Sequence, residues 1–332
     1  TSGRAIGRGS RSATMAGTPP ETNISAAYPF ESQFVTVRGS RLHYIEEGTG
    51  PPVLFLHGAP AWSYVWRNVI PHVSKTHRCV ALDLLGFGKS DKPATDITWD
   101  EHAATFDAFV AQLGLRDYVI VGMDWGGAMG LYHASRHEAS VKGLCFFETV
   151  LRPNEWKNLD AAFNVLGRAL RGQVTGYLIG QVANVMINAF MRISQVRKLS
   201  AEEHAQYAAP WPTVASRRVI PAILREMPFD GKPASNAPKV VAYTDWLKAT
   251  ELPKLFFKAT PGSFVGAEFA AFVEASFSNM RVVDLGQGVH FLQEDHPERM
   301  GKEIAAWLED TVAVPAAACG PSKPKTSSTT AG

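Results

Sequence analysis

The chain has 332 residues, with 33 Lys+Arg against 31 Asp+Glu and a hydrophobic content of 45%. That apolar fraction is enough for a packed core and excludes a disordered or collagen-like chain. A formal charge of +2 supplies no field for nucleic acid or for an anionic membrane surface, and neither is expected as a partner.

In chain order, residues 1–29 read as a disordered leader. They are Gly-, Ser- and Arg-rich and acid-free as far as residue 20, a composition that also fits the remnant of an organelle transit peptide. Arg4, Arg8 and Arg11 in this leader, with Lys323 and Lys325 in the acid-free tail 312–332, carry the positive excess. The body between them holds 28 bases against 31 acids. From Phe34 the pattern becomes a hairpin, Phe34–Val37 and Leu42–Glu46 around Arg38-Gly39-Ser40. Then come short apolar runs at Val53–Leu56, Val80–Leu82, Val119–Gly122 and Leu144–Phe147. Runs apolar on both faces are the signature of parallel strands buried between helices. Thr98 to Leu113 is a helix opened by a Thr98-x-x-Glu101 capping box, with Ala103, Phe106, Phe109 and Val110 on one face.

Residues 151–235 break the alternation. They are helical in character, lack strand runs and end among prolines, so they are expected to form a cap inserted after the sixth strand. Val174–Ile193 within it is the longest apolar stretch, but Gln181, Asn184, Asn188 and Arg192 make it too polar to span a membrane. Strands at Lys254–Lys258 and Arg281–Leu285, with helices at Ala267–Phe277 and around Met300–Asp310, resume the core. Residues 30–150 and 236–311 are therefore expected to build one α/β domain with a mostly parallel, eight-stranded sheet flanked by helices. Cys79, Cys145 and Cys319 match neither a disulfide framework nor a zinc spacing. Free buried thiols in a reducing compartment, the cytoplasm by default, are expected.

Three segments that follow predicted strands carry the chemistry. Gly122-Met123-Asp124-Trp125-Gly126-Gly127 has the form of a nucleophile elbow, with Asp124 where a serine often stands. A carboxylate is a poor attacker of acyl carbonyls. It can instead displace a leaving group at an sp³ carbon and form an alkyl ester. His57-Gly58-Ala59-Pro60 is the loop that lends a backbone N–H to an oxyanion hole, with Ala59 and Trp125 as donors and His57 as a residue that ties the loop down. The third is Gly288-Val289-His290, after the last strand, where a general base belongs. That base needs an orienting acid. The loop 259–265 after the seventh strand has no carboxylate, which leaves Glu148 at the end of the sixth, by elimination and position.

These pieces resemble the haloalkane dehalogenases of the α/β-hydrolase superfamily, over roughly Phe34 to Leu308. The matching segments are HGAPAWSYVWR (57–67), DLLGFGKSDKP (83–93), GMDWGG (122–127), ETVLRPNEW (148–156), KLFFKATPG (254–262) and GVHFLQEDHPE (288–298). The resemblance implies an α/β-hydrolase fold and an Asp124–His290–Glu148 triad that needs neither cofactor nor metal. It implies a small apolar halogenated substrate, with water as co-reactant and halide as product. It also implies that the Trp125 indole N–H faces the departing halide. A monomer or weak homo-oligomer is expected. One departure stands out: the family's subfamily with this triad usually has Asn after His-Gly, as a second halide donor, where this chain has Ala59. An epoxide hydrolase would share Asp124 and His290 and would add two cap tyrosines, for which Tyr177 and Tyr207 are available. A luciferase-like relative and a non-catalytic relative with the same shell are the remaining readings.

Overall fold

A computed structural model describes residues 17–158 and 161–311. Leader residues 1–16 and the tail 312–332, including Cys319, lie outside the described residues. The strands are β1 (Gln33–Val37), β2 (Ser40–Glu47), β3 (Pro52–Leu56), β4 (Arg78–Leu82), β5 (Tyr118–Met123), β6 (Val141–Thr149), β7 (Lys254–Pro261) and β8 (Met280–Gly288). They form one sheet in the order β1-β2-β4-β3-β5-β6-β7-β8. β1 and β2 pair antiparallel, β2 meets β4 antiparallel, and every pairing from β4 across to β8 is parallel. The sheet is thus of the α/β class, eight-stranded and mostly parallel.

Burial explains the apolar runs. All six residues of β5 are buried, as are four of the five in β3 and in β4. A parallel strand between helical layers has no solvent face, so it shows no alternation. The helix Asp124–Arg136 packs against Trp99–Gln112 and Ala237–Ala249, while Ile70–Val73 packs against Pro297–Thr311. Thr98 caps the Trp99–Gln112 helix as expected, its Oγ1 accepting from the Glu101 N–H at 3.2 Å. Cys79 and Cys145 are free and buried.

Two strands outrun their apolar cores. β6 starts at Val141, three residues before the apolar run, and Lys142 is the one exposed residue on an otherwise buried strand. β7 continues to Pro261 because the register shifts after Lys258 and pairs Thr260 and Pro261 with Gln287 and Gly288. That extension carries the following loop up beside the end of β6.

Between β6 and β7 lie the helices Ala161–Arg171, Ala201–Ala208 and Val219–Glu226, with π-helical turns at Tyr177–Val182 and Met186–Phe190. The apolar stretch Gln173–Ile193 is two pieces bent by 56°, and no single helix among the described residues is long and apolar enough to cross a membrane.

The leader needs correction over residues 17–29, which lie against the core. The Thr18 carbonyl accepts from Gln287 N–H and the Ser25 carbonyl from Arg67 Nε. The Ala26 carbonyl takes the Tyr64 hydroxyl at 2.8 Å. Glu21 receives the N–H groups of Glu298 and Arg299, both at 2.9 Å, where the last helix begins and an anion is favoured. Composition misses this segment because it binds largely through backbone carbonyls, which every residue carries, with the Glu21 carboxylate and the Tyr28 hydroxyl adding to them.

Candidate active site

The turn from β5 into the helix Asp124–Arg136 puts Asp124 in the left-handed region at φ 49°. Such a conformation is costly for a residue with a Cβ and survives where the surroundings enforce it. The surroundings here are glycines. A Cβ on Gly126 would sit 2.2 Å from the His57 carbonyl oxygen, and one on Gly58 would sit 2.2 Å from the Asp124 Cβ. Only hydrogen fits at either place, so the two loops close around the Asp124 carboxylate.

That carboxylate is buried and its two oxygens have different neighbours. Oδ1 accepts from the Ala59 N–H at 2.7 Å, and the Trp125 backbone N–H also bonds the group. Oδ2 stands 3.8 Å from His290 Nε2. Burial pushes the Asp124 pKa above the usual carboxylate range, while His290 and the two N–H groups pull against that rise. On the far side of the imidazole, Nδ1 lies 3.2 Å from Glu148 Oε2. Glu148, itself at φ 42°, accepts from the backbone N–H groups of Ser263 and Phe264 at 3.0 and 2.8 Å and of Val265 at 3.3 Å. The loop that lacks a carboxylate is the loop that binds one.

Asp124, His290, Glu148 and the Ala59 and Trp125 N–H groups therefore meet at one place. His57 supports it from below: its ring accepts from the Leu84 N–H at 3.1 Å and contacts the Gly58 carbonyl. Burial lowers its pKa. Asp83, not singled out by sequence reasoning, anchors the same region by accepting from Ser63 N–H and Lys89 N–H while bonding the His43 ring.

A cavity of about 80 Å³ opens over Asp124 and His290, walled by Ala59, Trp156, Leu170, Met186, Phe190, Phe229 and Phe264 among others. Most of these come from residues 151–235, where no motif announced them. Trp156 stacks on Phe229 with ring centroids 4.0 Å apart. An outer groove of about 790 Å³ shares Ser263 and Phe264 with this cavity but touches neither Asp124 nor His290. Trp125 does not line the cavity. Its ring packs edge-on against Trp99 at 5.1 Å, and its indole N–H is buried with no hydrogen-bond partner among the described residues. The two tyrosines considered for epoxide opening are not at the cavity either. Tyr177 is half-exposed, and the buried Tyr207 hydroxyl donates to Glu294.

A family model described as the alpha/beta hydrolase fold matches residues 51–297. The sheet order, the tight turn at Asp124 and a histidine after β8 fit that class. A haloalkane dehalogenase from Mesorhizobium japonicum is 37% identical over 297 residues, 89% of this chain and 95% of its own length. One from Bradyrhizobium diazoefficiens is 35% identical, with 88% and 98% covered. The crystal structure of haloalkane dehalogenase DbeA from Bradyrhizobium elkani USDA94 superposes with a TM-score of 0.83 at 36% identity, covering 86% of this chain and 99% of that one. The chain belongs to the haloalkane dehalogenase family of α/β hydrolases.

Proposed function

We propose that this chain hydrolyses small apolar haloalkanes to alcohol, halide and a proton through an ester of Asp124. The observation that carries the reading is the division of labour between the Asp124 oxygens: Oδ1 accepts from the Ala59 backbone N–H, and Oδ2 faces His290 beneath an apolar cavity.

In the first step Oδ2 attacks the halogen-bearing carbon, the carbon–halogen bond breaks and halide leaves with the bonding pair. The family resemblance assigns that halide to the Trp125 indole N–H, which has no partner among the described residues but packs against Trp99 outside the cavity lining. In the second, His290 Nε2 removes a proton from water as the water oxygen adds to Asp124 Cγ. Negative charge then gathers on Oδ1, where the Ala59 N–H already points, with the Trp125 N–H as the second donor to the group. Collapse breaks the Cγ–O bond to the alkyl group, and the departing oxygen takes the proton from His290. Glu148 holds the imidazole in the tautomer that keeps Nε2 free and stabilises its charged form. The chain's own groups balance the reaction without a metal or cofactor.

The apolar walls suit an uncharged substrate whose binding comes from burial. Among the described cavity residues the second halide donor usual in this subfamily is lacking, because Ala59 has no side-chain N–H. The placement of Tyr177 and Tyr207 away from the cavity weighs against epoxide opening. Residence in the cytoplasm, with no nucleic acid or membrane partner and a monomeric or weakly associating chain, belongs to the same proposal. The buried free thiols of Cys79 and Cys145 support the reducing compartment only. Supplying 1-bromobutane, 1,2-dibromoethane and an aryl epoxide in parallel tests the reading: halide release without diol supports it, and diol alone reverses it.

A further inference from the structure

The loop that carries His290 is gripped by the cap. The carbonyl of Ser194, in residues that precede the Ala201–Ala208 helix, accepts two successive backbone donors, His290 N–H at 2.9 Å and Phe291 N–H at 3.0 Å. Two residues on, the grip reverses direction. The Asp295 carboxylate accepts from Val196 N–H at 2.9 Å and from Arg197 N–H, also at 2.9 Å. Arg197 then returns across the gap, its Nε donating to the Glu294 carbonyl and its Nη2 pairing with the Glu294 carboxylate. Glu294 is four residues from the base and fully buried.

Charge balance locks the arrangement. Glu294 and Glu203 share Arg67 from the core and Arg197 from the cap, so two anions and two cations cancel inside a buried cluster. Three of the four side chains are no more than 3% exposed and Arg197 is 14% exposed. Removing one member leaves an uncompensated buried charge, so the cluster holds one geometry rather than several. None of these groups reaches the cavity, and none lies within hydrogen-bond reach of Asp124.

We infer that Arg197 and Asp295 are positioning residues for His290: through the Ser194 carbonyl and the Glu294 turn, the cap fixes where the base stands, and so governs ester hydrolysis but not ester formation. The inference rests on the two-step reading above. It follows because Asp124 is held by the elbow and Ala59, independently of the cap, whereas the His290 backbone is held by the cap itself. Displacing a base by about 1 Å costs on the order of 100-fold in the step that uses it.

The test mixes the full chain rapidly with excess 1-bromobutane and follows bromide, intact mass and backbone hydrogen exchange. Arg197→Ala is expected to release one equivalent of bromide at the wild-type rate, then to turn over about 100-fold more slowly while the alkyl adduct persists. Arg197→Lys should recover part of the loss. Asp295→Asn, nearly isosteric, should give the same split in milder form and serves if the alanine variant does not fold. Exchange at the His290 and Phe291 amides should quicken in each variant while β5 stays protected. Equal slowing of both phases, unchanged turnover, or unchanged exchange at those amides would overturn the inference. A wild-type chain that releases no bromide would instead overturn the activity reading, and the exchange result would still judge the clamp.

Discussion

Glu148 Oε2 accepts from the Phe264 N–H at 2.8 Å, joining the end of β6 to the loop after β7. The acid thus stands at the end of one strand, while the backbone donors that solvate it stand in the loop that follows the neighbouring strand. Three such donors, with the His290 ring as fourth neighbour, make up for the water that burial removes from the carboxylate. Phe264 also walls the cavity and lies edge-on to the His290 ring at 5.3 Å. One short loop therefore holds Glu148, packs against His290 and bounds the cavity over Asp124.

Replacing Glu148 by Gln keeps the size of the side chain but turns one oxygen into a donor facing other donors. Ester hydrolysis is expected to fall by at least about 100-fold, with halide burst retained. Stopped-flow halide release with bromobutane measures both phases; an unchanged second phase would remove Glu148 from its assigned role.

Asp124→Ala should release no halide at all while keeping its fold. His290→Phe should release one equivalent and stop, leaving an alkyl ester visible as added mass on the peptide that contains Asp124. Recovery of a His290→Phe chain without that adduct would count against covalent catalysis.

Gly58→Ala forces a Cβ to within 2.2 Å of the Asp124 Cβ, so the loop bearing Ala59 must retreat. Loss of an oxyanion donor typically costs about 100- to 1,000-fold in kcat. A folded Gly58→Ala chain with near-normal turnover would show that the Ala59 N–H is not needed.

Ala59→Asn would restore a side-chain donor beside the Asp124 carboxylate. A hydrogen bond to a charged group contributes about 1.5–3 kcal/mol. Chloride is the poorer leaving group, so kcat/KM for 1-chlorobutane should rise more than for 1-bromobutane. An identical gain for both, or none, would place the halide elsewhere.

Acid should weaken the fold through buried neutral histidines. Burial, aided by nearby His57, pushes His102 down to about 3, and burial also lowers His57. Unfolded histidines titrate near ~6.5. Between those values the unfolded chain binds a proton that the folded chain refuses. The stability tied to His102 is therefore complete above about pH 6.5 and is lost as pH falls toward 3, at about 1.4 kcal/mol per pH unit. Melting temperatures from pH 7.5 to 4.5 should decline less steeply for His102→Gln than for the wild type; parallel curves would refute the assignment.

The parallel core and the order of the chemistry-bearing segments were legible because both are written locally. Double-sided burial makes Val53–Leu56 and Val119–Gly122 continuous apolar runs, and the elbow demands small residues immediately beside Asp124 in the chain. Glu148 was reachable by a step of exclusion, since the loop 259–265 offered no carboxylate. Other features had no local mark. Residues 17–29 looked like a leader because their contacts largely use backbone carbonyls, and the cavity walls at Met186, Phe190 and Phe229 belong to no spacing pattern.

By itself, then, the sequence determined which groups are proposed to act: an Asp where an alkyl ester can form, a His after the last strand and a Glu at the end of the sixth. Tertiary structure alone decided how they are held. Ala59 meets Asp124 across 65 residues, Phe264 meets Glu148 across 116, and Arg197 meets Glu294 across 97. Such pairings depend on which strands become neighbours and on how burial strips water from each charge. Those are properties of the packed whole, and no stretch of chain encodes them by its own pattern.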